Sequence, residues 1–87
     1  MSVISVKLDE SLWATSLLPE GVVERWFVED GGTTQCGHRV AEVRIEGALH
    51  DVVAPATGRL NIYARALHVI EPGSVLATVE VPERQPC

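Results

Sequence analysis

The chain has 87 residues, which leaves room for one compact domain and none for a separate catalytic domain beside it. Apolar residues make up 46% and charged residues 22%, the balance of a chain that folds. A net charge of −5 is the wrong sign for a phosphate-binding surface, so nucleic acid is excluded as a partner. No apolar run approaches the ~20 residues of a membrane helix, and Met1 to Lys7 lacks the apolar stretch of a signal peptide. The expectation is a cytoplasmic protein with no membrane partner and, with Cys36 and Cys87 51 residues apart, two reduced thiols.

In chain order, short runs rich in Val, Ile and Leu recur between Gly, Pro and Asp punctuation, and helical periodicity is almost absent. The pattern predicts an all-β domain with strands over 3–8, 22–28, 39–45, 49–53, 58–64 and 75–81. Residues 9–21 carry Leu12, Trp13, Leu17 and Leu18 without alternation and read as a loop with a helical turn. One domain is expected over 1–81, followed by a frayed tail over 82–87 with its two prolines and two charges.

An internal repeat constrains the topology. Cys36-Gly37-His38-Arg39-Val40-Ala41-Glu42-Val43-Arg44-Ile45 matches Pro72-Gly73-Ser74-Val75-Leu76-Ala77-Thr78-Val79-Glu80-Val81 at a constant offset of 36, with Gly, Ala and Val identical. Gly21 and Gly58 extend the match at an offset of 37. Neither half could bury its apolar face alone, so the halves are expected to pack together about a pseudo-two-fold axis. Within the repeat, Ala41, Val43 and Ile45 alternate with Glu42 and Arg44, and Ala77, Val79 and Val81 with Thr78 and Glu80. Each strand thus seals a core with one face and meets water with the other.

Other constellations carry little chemistry. His38, His50 and His68 fall in three segments with no metal-ligand spacing. Cys36 and His38 have the residue types of a nucleophile pair, but no orienting acid or oxyanion arrangement accompanies them. Glu29-Asp30 reads as a solvated acidic turn, because adjacent strand residues point to opposite faces. Trp26 is expected to plug the core with its indole N–H reaching a partner or water. Neither a catalytic residue nor a metal site is expected.

Val6-Lys7-Leu8, Arg25-Trp26-Phe27-Val28-Glu29-Asp30-Gly31, Ala41-Glu42-Val43 and Ala54-Pro55-Ala56-Thr57-Gly58 together resemble the biotinyl/lipoyl carrier domains. The likeness is greatest to the lipoyl domains of 2-oxo acid dehydrogenase acyltransferases, while Asp51-Val52-Val53-Ala54-Pro55 also resembles the glycine-cleavage H protein. It covers nearly the whole chain and runs without gaps from Gly37 to Gly58. The resemblance implies a flattened barrel-sandwich of two four-stranded sheets related by a pseudo-two-fold.

In the resembled family an exposed hairpin tip presents a lysine, in a context such as Asp-Lys-Ala, to which lipoate or biotin is joined as an amide. Here that triplet reads Glu46-Gly47-Ala48. Glycine offers no amine, so Gly47 is a vacant acceptor position and no cofactor is expected. Two departures follow. The family's Gly-Asp turn in the second half is replaced by Leu67-His68, where the one-residue shortfall of that half is expected, and the loop 9–21 is about three residues longer than in many relatives. In the family that loop lies near the hairpin and helps partners recognise the domain, which implies a contact patch of Trp13, Leu17, Leu18, Glu46 and Gly47.

The function expected is a non-catalytic docking module whose partner is a protein of a 2-oxo acid dehydrogenase-type or related multi-enzyme system. The alternative is a working swinging-arm carrier of a dehydrogenase, carboxylase or glycine-cleavage-like system, modified at Lys7 or using a partner's cofactor. Lys7 is the chain's one lysine and sits forty residues before the vacant position, where a solvated strand-edge lysine is the simpler reading.

Overall fold

A computed structural model describes residues 2–14 and 17–82. Apart from Pro82, the expected tail lies outside the described residues. The described residues form eight strands: β1 (Ser2–Val6), β2 (Gly21–Trp26), β3 (Thr33–Thr34), β4 (Arg39–Ile45), β5 (Ala48–Val53), β6 (Gly58–Ile62), β7 (Val69–Ile70) and β8 (Ala77–Val81). A 3₁₀ turn, Glu10–Trp13, lies between β1 and β2. The domain is all-β, with one sheet ordered β1-β8-β6-β3 and the other β5-β4-β2-β7. Every pairing is antiparallel.

The six expected strands all form, and their ends differ by no more than two residues from the expected ones. β3 and β7 complete the two four-stranded sheets, but the periodicity gives no range for them, because two residues each are too short to show a period.

Advancing every strand by four places converts the order of one sheet into that of the other, so β1 corresponds to β5, β8 to β4, β6 to β2 and β3 to β7. The registers agree residue by residue. Val23 faces Val43 as Leu60 faces Val79, and Ile4 faces Val79 as His50 faces Val43. Turns correspond as well: Leu67 donates to the Val23 carbonyl as Gly31 donates to that of Leu60.

This correspondence locates the change of offset in the repeat. Val23 and Arg25 face consecutive residues of β4, so Glu24 is an extra residue in a bulge, whereas Leu60 and Asn61 continue without interruption against β8. The missing residue of the second half is therefore the counterpart of Glu24, between Leu60 and Asn61, and not one at Leu67-His68, where the shortfall is expected from the sequence. Leu67 and His68 replace Gly31 and Gly32 one for one, with equivalent hydrogen bonds to Leu60 and Val23.

The core follows the same symmetry. Val23 and Leu60, Val40 and Leu76, Ala41 and Ala77, Val43 and Val79, and Ile45 and Val81 are all buried equivalents. Each large aliphatic side chain among them contributes roughly 1.5–3 kcal/mol by leaving water. Glu42 and Arg44 turn outward, as the alternation predicts. On β8 the alternation weakens, for Thr78 is only 8% exposed and lies 3.4 Å from the Tyr63 hydroxyl.

Candidate functional site

β4 and β5 are joined by two residues, Glu46 and Gly47, at the apex of a hairpin. Both have positive φ, 47° and 83°, as in the type I′ turn whose twist matches that of the flanking strands. Gly47 suits this conformation, and a Cβ built on it would have no atom within 4 Å. Position 47 is therefore open to solvent on its side-chain side, and Glu46, Ala48 and Leu49 around it are exposed.

The loop before β2 is held by its own 3₁₀ turn at one point and by a bond to the apex at another. Asp9 caps the 3₁₀ turn by accepting from the Ser11 amide at 2.9 Å. That bond favours the charged form and holds the Asp9 carboxyl below its ordinary value of 3.8. The turn delivers Trp13 to the core, beside Gly21 and Ile45: the place of a Gly21 Cβ is 3.5 Å from Trp13 Cζ2 and 3.1 Å from Ile45 Cγ1. Farther along, the Leu17 amide donates to Glu46 Oε1 at 2.7 Å.

Of the five residues expected in a contact patch, Glu46, Gly47, Leu17 and Leu18 are exposed, the leucines by 91% and 60%. Trp13 is 7% exposed and so underlies the surface instead of forming it. Its indole N–H is buried with no hydrogen-bond partner among the described residues.

No protein-family model and no curated protein matches this chain.

The remaining candidates are dispersed. His38 and His68 are exposed and His50 is partly buried; among the described residues no three His, Cys, Asp or Glu side chains gather as a metal site. Cys36 carries a disulfide, which corrects the expectation of a reduced thiol there: separation along a chain gives no distance in the fold. Cys87 lies outside the described residues. The Cys36 amide donates to Thr57 Oγ1 at 3.0 Å, tying the turn before β4 to the one before β6. Lys7 is exposed immediately after β1. No helix among the described residues is long and apolar enough to cross a membrane.

At the opposite end of β2 from the apex, an open groove of about 510 Å³ is lined by Trp26, Phe27, Glu29, Asp30, Ile62 and Arg65, among others. Its walls are repeat equivalents, since Trp26 corresponds to Ile62 and Glu29 to Arg65 at the offset of 36. The groove therefore straddles the junction of the two halves. Trp26 Nε1 donates to the Ala64 carbonyl at 2.8 Å, and Asp30 accepts from the Ile62 amide at 2.8 Å. Trp26 is thus partly buried with its N–H satisfied, much as expected. Asp30 is not simply a solvated acid, because it latches one half to the other. Sequence reasoning missed this role of Asp30 and the part of Arg65, although extending the repeat past Gly58 would have placed residues 29–30 opposite 65–66.

Proposed function

We propose that the chain is a lipoyl-like module without carrier chemistry, acting as a non-catalytic docking domain for a protein of a 2-oxo acid dehydrogenase-type or related multi-enzyme system. The observation that carries this reading is the apex Glu46-Gly47, an exposed two-residue turn at the place where the resembled carriers present an acceptor lysine. The correspondence of strand orders supports it, because a flattened barrel-sandwich with a pseudo-two-fold requires that relation between its sheets. Without an ε-amine at position 47, neither lipoate nor biotin has a nucleophile there. What the apex retains is a surface: Glu46, Gly47, Leu17 and Leu18 outside, with Trp13 fixing the loop from beneath.

The second reading, a carrier modified at Lys7, is favoured by the exposure of that residue. Against it, Lys7 follows directly on β1 and corresponds to Val53 at the end of β5, far along the strand from an apex.

The intact mass of the protein isolated from its native host, with lipoate and biotin ligases active, separates the two. An unmodified chain is expected, and an adduct on Lys7 overturns the proposal. The variant Gly47→Lys tests the resemblance itself: the side chain has room, and the left-handed backbone costs about 1–2 kcal/mol. A folded variant should accept lipoate from a lipoate ligase; a folded variant that stays unmodified would show that more than the acceptor has been lost.

A further inference from the structure

We propose that β1 is a self-pairing edge, through which two copies of this chain join their sheets by antiparallel β1–β1 contact. The two sheets end on four strands: β1, β3, β5 and β7. Free edges present unpaired N–H and C=O groups, and proteins protect them by shortness, charge, proline or bulges. β3 and β7 are two residues long. β5 carries Asp51, which is 3.5 Å from Arg39, and its pairing with β4 is irregular between Arg39 and Ala41.

Within Ser2–Val6, β1 has none of these protections, and the charged side chain nearest in sequence among the described residues is Lys7, exposed immediately after the strand. Ser2-Val3-Ile4-Ser5-Val6 contains no charge and no proline, and its register with β8 runs unbroken from Ser2 to Val6. Ser2, Val3, Ile4 and Ser5 are all exposed, Val3 by 61% and Ile4 by 37%.

A second copy fits this edge for reasons of symmetry and charge. A two-fold axis through Ile4, perpendicular to the sheet, sets Ile4 opposite Ile4, Val3 opposite Ser5 and Ser2 opposite Val6. Every such pair has residues of equal parity, so inward side chains stay inward on both copies. Both strands are uncharged, so no ionised group loses water within the ladder. A strand bearing Lys or Glu would instead set its charge beside Val3 or Ile4. The contact is one strand long, which makes the association reversible. Each copy carries −5, so the long-range field opposes pairing and salt relieves that opposition.

Sedimentation equilibrium of the full chain over micromolar to millimolar concentration tests the proposal. The weight-average mass should rise above the monomer's 9.4 kDa with concentration, and rise further at high salt. Val3→Lys, on an exposed position, should leave the circular dichroism unchanged and weaken association by roughly tenfold or more. Leu49→Lys, at the equivalent position of β5, should leave it intact. Should Val3→Lys fail to fold, amide exchange in the wild-type chain decides: β1 amides pointing away from β8 should slow as concentration rises. A wild type that stays monomeric throughout, association unaffected in Val3→Lys, or loss of association in Leu49→Lys alone would each overturn the assignment.

Discussion

The Leu17 amide and the Glu46 carboxylate meet at 2.7 Å across 29 residues of chain, so the loop before β2 and the β4–β5 hairpin apex form one surface. Because the bond is exposed, its net worth is about 1 kcal/mol or less. Glu46→Ala should leave the fold intact and speed exchange of the Leu17 amide up to about fivefold, which ~1 kcal/mol implies. Unchanged exchange at Leu17, measured by nuclear magnetic resonance, would mean that Trp13 alone holds the loop.

Leu67 has φ 69° and is 74% exposed, at the position where the other half places Gly31 with φ 85°. A left-handed conformation costs a residue with a Cβ about 1–2 kcal/mol. The added chain entropy of glycine takes back roughly 0.5–1 kcal/mol, and Leu67 forfeits little buried area. Leu67→Gly should therefore stabilise the domain by about 0.5–1 kcal/mol, read as a higher urea midpoint with unchanged slope. Gly31→Ala should do the opposite by about 1 kcal/mol, since the Arg59 side chain leaves it ordinary contact distance at 3.6 Å and only the backbone resists.

Gly21 and Gly58 open equivalent central strands, yet their surroundings differ. A Cβ on Gly58 would overlap the Glu80 carbonyl, whereas on Gly21 it would lie 3.1 Å from the Arg44 carbonyl and from Ile45 Cγ1. Backbone in a ladder cannot swing aside as a side chain does. Gly58→Ala should destabilise by about 3 kcal/mol, the upper range for overpacking, and Gly21→Ala by about 1 kcal/mol. Equal midpoints for the two variants in chemical denaturation would contradict the asymmetry.

These glycines also mark what the sequence makes legible. Offsets of 37 at Gly21 and 36 from Cys36 announce two halves and a single inserted residue between them. The repeated Ala-x-Val pattern fixes which faces of β4 and β8 are buried, because a sheet strand exposes alternate side chains and a one-residue error would turn every one of them over. The insertion's place is not legible, since a bulge at Glu24 leaves no mark in a segment that reads Val22-Val23-Glu24-Arg25. Nor is the burial of Trp13: its loop lacks periodicity, and only the fold shows that Gly21 vacates space beside it. At the candidate site, the turn and its missing lysine are plain from Glu46-Gly47-Ala48, whereas the bond from Leu17 to Glu46 depends on a loop path that no local pattern encodes.

Asp9 supplies a dependence on pH. Its carboxyl titrates below 3.8 in the folded chain, held down first by the Ser11 backbone amide and then by the Ser11 side chain. A lowered value means that the folded state binds its proton less readily than the unfolded one, so the contribution is complete above the unfolded value and is lost as pH falls through the folded one. Carbon-detected titration of Asp9 should give a midpoint under 3.8, and Asp9→Asn should flatten that part of the acid limb of stability. A midpoint at or above the ordinary value would remove the cap from this account.

Glu24 gives the most demanding prediction. Its side chain accepts from Arg44 Nε at 2.6 Å, and its backbone is the extra residue that breaks the register between β2 and β4. β6, the equivalent strand, pairs with β8 without a bulge and still delivers Ile62 and the following turn to places equivalent to Trp26 and its turn. Deleting Glu24 should therefore remove the bulge, set Arg25 directly after Val23 in the ladder, and leave every residue from 25 onward in its present register. The loss comprises one exposed ion pair, worth about 0.2–1 kcal/mol, and the local twist of the bulge. The deletion variant should fold, with cross-strand nuclear Overhauser contacts from Arg25 to Glu42 and from Trp26 to Ala41 preserved. If instead the register from 25 onward slips by one, Trp26 turns to the opposite face and loses the Ala64 carbonyl. Its indole proton resonance would report that slip, and the equivalence of β2 and β6 would fail with it.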